Sequence, residues 1–457
     1  MNSRRSLLVL VLLLTPASAS AADTISVEWA VRAGGPKADK ARGMALDKNG
    51  NVYLTGEFGE TADFGEFKLT SRGGLDYFLA KYDPTGKCLW VRQGGGGKTD
   101  RGYAVAVDRD GNAYVTGHYE STDADFDGVK LSNAGDYDAF VAKYDSAGKL
   151  LWARRAGGAG YDYGHGVAVD GKGSAYVGVS VVGDATFGDT ADKEPGKASR
   201  AVVACYAPDG ALRWLARPRG KGSSSCGSIA ADEAGNTWLC GGYGGEQEFG
   251  PGVGLKAATG RGAFVAKFDP AGKALWAAGT DGRADGAATS VGVDGKGRCY
   301  VAGMFKGTVA GIGDTTFTSE DNYDIFVAAF DGGGKPLWVR HAGGKGIDYA
   351  LGLAADPAGG CYVVGEISTT CDFGDGVKLT STPPGRDLYV ARYTADGKVG
   401  PVLGAGAERE DMGYCIALDP KRDALYASGA FNVSTRYGAT ELKAAGSNDI
   451  MLIRLKR

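Results

Sequence analysis

The chain has 457 residues, a formal net charge of −3 at neutral pH, 43% hydrophobic residues and 23% charged residues. Both signs of charge are scattered along the sequence, which argues against a nucleic-acid partner or an anionic membrane surface. The 77 glycines recur at fixed intervals rather than in disordered tracts, as expected of turns in a repeat protein. One large domain is therefore expected, although the length alone would suggest several.

Residues 1–22 are predicted to be a secretory signal peptide. Arg4 and Arg5 precede the apolar run Leu7 to Leu14, and small residues follow up to Ala22, which is the order of a cleaved export signal. The apolar run is too short to cross a bilayer, so no membrane span is expected. We expect an exported protein, located in the periplasm, at the cell surface or outside the cell. The segment SRRSLL leaves both general secretion and twin-arginine export open.

Residues 23–457 repeat one unit of roughly 62 residues seven times. Units that expose apolar faces must stack on their neighbours, so the whole segment is predicted to be one domain. Each copy contains an aspartate that closes a short apolar run before a turn, and such aspartates are expected to accept hydrogen bonds from turn amides. These residues are Asp47, Asp108, Asp170, Asp232, Asp294, Asp356 and Asp419.

The second copy shows the secondary structure of the unit. It contains the runs GYAVAVD (Gly102 to Asp108), AYVTGHY (Ala113 to Tyr119), YDAFVAKYD (Tyr137 to Asp145) and LLWARR (Leu150 to Arg155). These runs are rich in β-branched and aromatic residues and lack helical periodicity, which predicts a four-stranded antiparallel sheet. Both faces of the sheet are apolar and need cover. Sheets that cover one another around an axis form a β-propeller, so the predicted fold class is all-β.

The two ends of the repeat complement each other. Val27 to Arg32 matches a fourth strand with no strands before it, and Asn448 to Leu455 matches a third strand with no fourth behind it. Pairing of these segments would complete the last blade as three strands plus one and leave no free sheet edge. The sequence thus predicts a seven-bladed propeller closed by its N-terminal strand. Tryptophans of the fourth strands are expected to fill the gaps between blades: Trp29, Trp90, Trp152, Trp214, Trp276 and Trp338.

The phrases DRGYAVAVDRDGNAYVTG, DYGHGVAVDGKGSAYVG and DYALGLAADPAGGCYVVG resemble the bacterial SBBP repeat, named for a seven-bladed β-propeller. The resemblance covers essentially all of residues 25–457. It implies a propeller fold, usually in exported or surface proteins, and no shared reaction. The segment AKYDPTGKCLW (Ala80 to Trp90) is also similar to the tryptophan-docking motif of quinoprotein propellers, in which these residues lock blades together.

Strand direction separates two faces of the predicted disc. The first-to-second and third-to-fourth turns lie on one face, which we call the short-turn face. The second-to-third and blade-to-blade connections lie on the other, the long-connection face, and Gly59 to Leu75 is a predicted loop of roughly 17 residues there. Long loops on a rigid scaffold commonly carry function, so ligands are expected on the long-connection face.

Two sets of aspartates are candidate metal ligands on that face. A carboxylate ring before the innermost strands could hold Ca²⁺ or a cationic or polyhydroxyl ligand, with capping of loop amides as the alternative. Its members are Asp39, Asp100, Asp162, Asp285, Asp348 and Asp411. Asp123, Asp125 and Asp127 have the D-x-D-x-D-G spacing of a calcium loop but lack its twelfth-position glutamate. Apart from Ca²⁺ at these places, no cofactor is expected.

The repeat is interrupted between its third and fourth copies by Arg217, Arg219 and Lys221. An anionic group, such as a uronic acid or the carboxylates of a protein partner, could dock on these cations. Tyr161 or Tyr163 of the preceding loop would then supply a stacking surface. A solvated basic loop is the alternative.

Cys226 and Cys240 flank a hairpin turn almost symmetrically. Because an exported chain can form disulfides, these residues are a candidate pair. Two buried thiols are the alternative.

Candidate catalytic residues are few. The three histidines, His118, His165 and His341, occupy three different repeat positions, and no G-x-S-x-G motif occurs. We expect a non-enzymatic, monomeric propeller that acts in recognition or as a scaffold for a protein or polysaccharide ligand. The alternative is an enzyme that acts on a polysaccharide or a quinone-linked substrate through carboxylates at the channel mouth.

Overall fold

A computed structural model describes residues 24–193, 198–406, 409–419, 421 and 423–457. The predicted signal peptide, residues 1–22, lies outside the described residues. The described chain forms β-strands joined by turns and connections, which agrees with the predicted all-β class.

The strands assemble into antiparallel units, each built on four main strands with shorter strands added in most of them, and we number the units in chain order. β1 (Ser26–Ala33) precedes them. Unit 1 contains β2 (Lys40–Leu46), β3 (Val52–Phe64), β4 (Phe67–Tyr82) and β5 (Cys88–Gly95). Unit 2 contains β6 (Asp100–Val107), β7 (Ala113–Tyr119), β8 (Asp125–Phe126), β9 (Val129–Lys130), β10 (Asp138–Tyr144) and β11 (Leu150–Gly158). Unit 3 contains β12 (Tyr163–Val169), β13 (Ala175–Val182), β14 (Ala185–Phe187), β15 (Thr190–Asp192), β16 (Ser199–Tyr206) and β17 (Leu212–Ala216).

The remaining units follow the same plan. Unit 4 contains β18 (Arg219–Lys221), β19 (Ser224–Ala231), β20 (Thr237–Gly250), β21 (Val253–Phe268) and β22 (Ala274–Gly279). Unit 5 contains β23 (Asp285–Val293), β24 (Cys299–Lys306), β25 (Thr308–Val309), β26 (Phe317–Thr318), β27 (Asp324–Phe330) and β28 (Pro336–Ala342). Unit 6 contains β29 (Asp348–Ala355), β30 (Cys361–Ile367), β31 (Thr370–Gly374), β32 (Val377–Thr380), β33 (Asp387–Tyr393) and β34 (Val399–Ala405). Unit 7 contains β35 (Asp411–Leu418), β36 (Ala424–Phe431), β37 (Ser434–Tyr437), β38 (Thr440–Lys443) and β39 (Asp449–Lys456).

Each unit has an inner strand followed by three others in order, as β6, β7, β10 and β11 show. In unit 7 the order is β35, β36, β39 and then β1, which pairs antiparallel with β39 from Ser26 opposite Lys456 to Ala33 opposite Ile450. The inner strands of neighbouring units are in contact along the series from β2 to β35, and β35 also contacts β2.

The hydrophobic core is divided among the junctions between units. One cluster joins units 1 and 2 through Tyr77, Leu79 and Phe140, and another joins units 7 and 1 through Phe78 and Tyr426. Both faces of a sheet are therefore buried against neighbouring sheets, as the apolar alternation on both faces of each run predicts. Sheets arranged in this way around a central channel define a β-propeller.

The tryptophans of the fourth strands lock neighbouring units together, as predicted. The indole of Trp90 donates to the carbonyl of Ser146 in the turn of the next unit, and Trp152, Trp214, Trp276 and Trp338 make the equivalent bond. Each ring packs on the glycine of that turn. The aspartates that close the inner strands also act as predicted, since Asp108 Oδ1 accepts the amides of Asp110 and Asn112.

The connections between second and third strands differ from the predicted long loops. In unit 2 this segment folds back as the short hairpin β8–β9, and β8 pairs with β5 of unit 1. In unit 3, β14 pairs with β11 of unit 2 in the same way. Phe126 and Phe187 anchor these hairpins and are completely buried. We call these hairpins arms; they join neighbouring units and are not open binding loops.

The candidate disulfide between Cys226 and Cys240 is not formed, and both residues are free, buried thiols, the alternative that the sequence left open. Cys226 lies opposite Gly241, whereas Cys240 lies opposite Ser228, so the two side chains point to opposite faces of the sheet. Cys226 accordingly packs between units 3 and 4, and Cys240 between units 4 and 5.

Candidate functional site at the channel mouth

Every inner strand carries a β-bulge at the same repeat position, five residues before its closing aspartate. In β2, for example, Ala41 pairs with Gly56 and Gly43 pairs with Thr55, so Arg42 has no partner of its own. A bulge re-aims a side chain, and here the bulged residues line the central channel. They are Arg42, Tyr103, His165, Gly227, Thr289, Leu351 and Tyr414.

The channel encloses a cavity of about 360 Å³ lined by all of the inner strands. It is lined by each bulged residue and the two residues that follow it, so the cavity extends from the bulges toward the short-turn face. The strands enter the channel from the long-connection face. We call that end the channel mouth, meaning the bulged residues, the inner-strand residues two positions before them and their partners on the second strands.

One side of the mouth is an ionic network across units 6, 7, 1 and 2. Arg42 donates two hydrogen bonds of 2.6 Å each to the carboxylate of Glu57, and Arg101 Nε lies 4.0 Å from the same carboxylate. Arg386 pairs with Glu366 and, at 3.4 Å, with Glu410. Burial raises the pKa of Glu366 and lowers the pKa of Lys40. The two buried carboxylates, Glu57 and Glu366, are thus each paired with an arginine, Arg42 and Arg386 respectively.

The network continues into a cluster of aromatic rings in units 2 and 3. The Arg42 guanidinium lies 5.2 Å from the Tyr103 ring and 5.4 Å from the Tyr414 ring, which are cation–π distances. His118 is in ring contact with Tyr103, Tyr137 and Tyr163 at centroid distances of 4.8 to 5.3 Å.

Two further ring residues extend the cluster from the channel to the surface. His165 lies 5.7 Å from both Tyr103 and Tyr163 and reaches the channel, while Tyr161 lies 5.1 Å from Tyr137 and is 50% exposed. Burial lowers the pKa of His118 to about 3 and that of His165 to about 4, so both imidazoles are neutral at physiological pH.

The opposite side of the mouth is lined by small residues. Unit 4 contributes Ser225, Gly227 and Gly242, with the Arg261 side chain over Gly242, and unit 5 contributes Ala287, its partner Met304, and Thr289. The mouth is therefore asymmetric, although the scaffold around it repeats. The bulged residues Gly227 and Thr289 are smaller than Arg42, Tyr103 and His165 on the charged and aromatic side.

The predicted ring of aspartates contacts loop amides. Asp39 accepts hydrogen bonds from Gly35 and Gly59, and Asp100 accepts them from Gly96, Glu120 and Ser121. Asp162, Asp348 and Asp411 are likewise completely buried and hydrogen-bonded. Asp285 differs because it lies one residue out of register: Gly286 holds the equivalent place, and Asp285 is exposed with the Tyr323 hydroxyl 2.5 Å away.

The three aspartates of the predicted calcium loop belong to the arm of unit 2. Asp123 Oδ1 accepts the amide of Gly97 in unit 1, and Asp125 Oδ1 accepts the amide of Gly128. Asp127 takes a left-handed conformation with φ of 48° at the hairpin turn. Among the residues that the structure describes, no group of three or more His, Cys, Asp or Glu side chains is placed to hold a metal ion. Calcium binding stays a prediction.

The interruption between units 3 and 4 is less open than predicted. Arg217 forms an ion pair with Asp192, which also binds Arg200 at 2.9 Å. Arg219 and Lys221 lie in β18, opposite Glu248 and Glu246 of β20. These cations face carboxylates because the connection has become a sheet edge. Tyr161 contacts Tyr137, and Tyr163 contacts His118, Tyr137 and His165, with Arg101 as its cationic neighbour.

The fold and the channel place this chain among the β-propellers. A family model described as a β-propeller repeat, SBBP, matches residues 28–57, 89–127 and 151–178. These segments carry the SBBP-type β-propeller repeat, as the repeat phrases predict.

Curated relatives match parts of the chain. A WD-repeat-containing protein of Acanthamoeba polyphaga mimivirus, itself uncharacterised, is 26% identical over 150 residues, 29% of this chain and 11% of that protein. The regulatory protein FlaEY of Caulobacter vibrioides is 27% identical over 168 residues, 35% of this chain and 17% of that protein. The matches thus span less than a fifth of either relative.

Solved structures with a similar fold include a chain of Kuenenia stuttgartiensis hydrazine synthase, with a TM-score of 0.49 and 10% identity, covering 89% of this chain and 96% of that chain. The Dos1 propeller has a TM-score of 0.46 and 12% identity, covering 94% of this chain and 95% of that chain. Neither similarity transfers an activity or a site to this chain.

Proposed function

We propose that this protein is an exported, monomeric, seven-bladed propeller that binds an acidic polysaccharide at its channel mouth. The blade count and the closure are supported by the pairing of β1 with β39 and by the hydrophobic cluster between units 7 and 1. Export is supported by the signal-like residues 1–22. Among the described residues, no helix is long and apolar enough to span a membrane.

The asymmetry of the mouth is the observation that carries the binding proposal. Its cationic side chains, Lys40, Arg42 and Arg101, outnumber its carboxylates, Glu57 and Glu366. Two further pairs of opposite charge border the mouth, Arg386 with Glu410 and Arg261 with Asp285, and Arg261 also contacts Ser225. A net positive mouth attracts an anionic ligand, and the neighbouring aromatic rings offer flat apolar surface to sugar rings.

Recognition is favoured over catalysis by the state of the mouth carboxylates. Acid–base hydrolysis of a glycosidic bond needs two carboxyl groups that are open to the substrate. Glu57 and Glu366 are instead buried in ion pairs with Arg42 and Arg386. Their role is to hold those arginines in place.

The test is isothermal titration with polygalacturonate, and neutral galactan serves as the uncharged comparison. We expect the wild-type protein to bind only the acidic polymer, with an affinity that falls as salt is raised. Arg101→Gln removes one mouth cation and should weaken binding about tenfold, the effect of roughly 1.4 kcal/mol. Tyr163→Ala should weaken it by a similar factor.

The matched control is Lys149→Gln, which removes one exposed cation from a turn on the short-turn face. It should bind like the wild type. Equal affinity for both polymers, or equal losses in Arg101→Gln and Lys149→Gln, would exclude the channel mouth as an acidic-polysaccharide site.

A further inference from the structure

Five junctions between units contain two aspartates, one before or at the start of an inner strand and one in the third strand of the preceding unit, where it is the first residue except for Asp76 within β4. The pairs are Asp449 with Asp39, Asp76 with Asp100, Asp138 with Asp162, Asp324 with Asp348, and Asp387 with Asp411. The third-strand members were not singled out from the sequence. All ten side chains are buried.

The proximity of the two carboxylates can be judged from the atoms that a methyl group added to a neighbouring glycine would meet. A methyl group on Gly95 would lie 3.0 Å from Asp76 Oδ1 and 2.7 Å from Asp100 Oδ2. On Gly34 it would lie 3.1 Å from Asp449 Oδ1 and 2.9 Å from Asp39 Oδ2, and on Gly157 it would lie between Asp138 Oδ1 and Asp162 Oδ2. At these three junctions one oxygen of each carboxylate thus lies within 3.1 Å of the same point, whereas the atoms nearest to Gly343 and Gly406 all belong to the third-strand members Asp324 and Asp387.

Each pair contains at least one oxygen without a hydrogen-bond donor in the described part of the chain, and the pair of Asp324 and Asp348 contains two, since Asp348 Oδ2 also lacks one. Oδ1 of the third-strand aspartate is buried and unpartnered among the described residues in all five pairs: Asp76, Asp138, Asp324, Asp387 and Asp449. Buried polar atoms are rarely left unsatisfied, and two ionised carboxylates in such proximity repel each other. A single proton between the two groups removes both problems.

At the two remaining junctions, neither of the two equivalent positions holds an aspartate. Between units 3 and 4 the positions hold Arg200 and Ser224, and the Ser224 hydroxyl accepts the amide of Ala201 instead. Between units 4 and 5 they hold Gly262 and Gly286. Joint loss is expected if the two carboxyl groups act on each other.

We propose that each of the five carboxylate pairs binds one proton, which forms an O–H···O hydrogen bond between neighbouring units. The third-strand aspartate donates from Oδ1, and Oδ2 of the inner-strand aspartate accepts. When a pair loses this proton to solvent, two negative charges stay buried at the junction. The pairs would thus fasten the ring more firmly in acidic than in alkaline surroundings.

Burial, the largest cause, raises the pKa of Asp39, Asp76 and Asp348 to about 7 and that of Asp162 to about 6. The native state therefore keeps protons that the unfolded chain loses near pH 4, so stability falls as pH rises from about 4 through about 7. His118 and His165 act in the opposite direction, but only below about pH 6.5.

Other charged groups touch the pairs without replacing the proton. Arg32 binds Asp449, Arg155 lies 3.6 Å from Asp138, and His341 lies 2.7 Å from Asp324. Further neighbours are Arg72 and Asp123 at Asp76, Arg200 at Asp162, Asp321 and Cys371 at Asp348, and Tyr437 at Asp387 and Asp411. The basic groups meet the third-strand members mainly on the side away from the unpartnered oxygen.

Asp76→Asn tests the proposal, because an amide N–H can donate in place of the shared proton. Thermal unfolding is followed from about pH 5.5 to about pH 8. The wild-type melting temperature should fall as pH rises, and Asp76→Asn should melt about 2 °C higher than the wild type at pH 8 while matching it at pH 5.5. Asp110→Asn, at an exposed turn, is the control and should follow the wild type.

Infrared spectra supply a second readout that needs no variant. The wild type at pH 5.5 should show buried protonated carboxyl groups, and Asp138→Asn or Asp76→Asn should remove about one fifth of that absorption. A wild type without such absorption contradicts the shared proton. So does a melting temperature at pH 8 that rises with millimolar Ca²⁺ in the wild type but not in Asp76→Asn, since a divalent cation would then occupy the pair.

Discussion

Among single residues, the glycines of the turns between third and fourth strands are essential to the contacts between units, because a tryptophan of the neighbouring unit packs on each of them. Gly148 has a φ of 81°, and a methyl group on it would lie 2.9 Å from the Trp90 ring. The glycine is therefore required twice, once by its backbone conformation and once by the indole that packs on it. The other turn glycines under tryptophans share this arrangement.

Replacement of Gly148 separates these two requirements. Gly148→Ala should lower the free energy of unfolding by about 2 to 4 kcal/mol, the sum of left-handed backbone strain and overpacking against Trp90. Gly128 is the matched control, with a φ of 91° and nothing within 4 Å of an added methyl group. Chemical denaturation should give a loss of only about 1 to 2 kcal/mol for Gly128→Ala. Equal losses would show that the tryptophan contact adds nothing.

The residue roles that the sequence predicts well are those that repeat. The closing aspartates and the docking tryptophans occur in nearly every copy, so their position alone indicates a structural role. The bulged residues were missed because a bulge inserts one residue without disturbing the flanking apolar pattern. Arg42, Tyr103 and His165 nevertheless share one repeat position, and variation at a single position of a regular repeat was the available signal.

At the scale of elements, the arms show why the second-to-third connections could not be predicted. The strands β8 and β9 have two residues each, too few for an alternating pattern to be recognised. Their pairing also depends on β5 of the neighbouring unit, which no local pattern reveals. Phe126 gave a usable signal, since its position in the repeat matches Phe64 and Phe373, and all three are completely buried.

The arm of unit 2 can be tested by truncating its anchor. Phe126→Ala should lower the free energy of unfolding by about 3 to 5 kcal/mol, because Phe126 packs between Tyr77 and Phe140. Val129→Ala, on the same hairpin but 38% exposed, should change it by less than about 0.5 kcal/mol. Urea denaturation measures both. A small effect of Phe126→Ala would mean that the arm is a passive loop after all.

In the whole molecule, repeated units surround a channel mouth whose side chains differ from one unit to the next. The repeat accounts for the stacking of the units, the docking tryptophans and the position of the channel. It does not predict the charged and aromatic sector of the channel mouth, because that sector consists of side chains brought together from units 6, 7, 1, 2 and 3. The interruption at Arg217 was visible in the sequence, but its pairing with Asp192 depends on the fold.

The proposed function depends on the channel mouth being the ligand surface. Hydrogen–deuterium exchange with and without saturating polygalacturonate tests this directly. We predict slower exchange in the peptides around Lys40 to Gly43, Arg101 to Ala104 and Tyr161 to His165, with the arms and the short-turn face unchanged. Protection confined to the arms or to β18, or no protection anywhere, would contradict the proposed site.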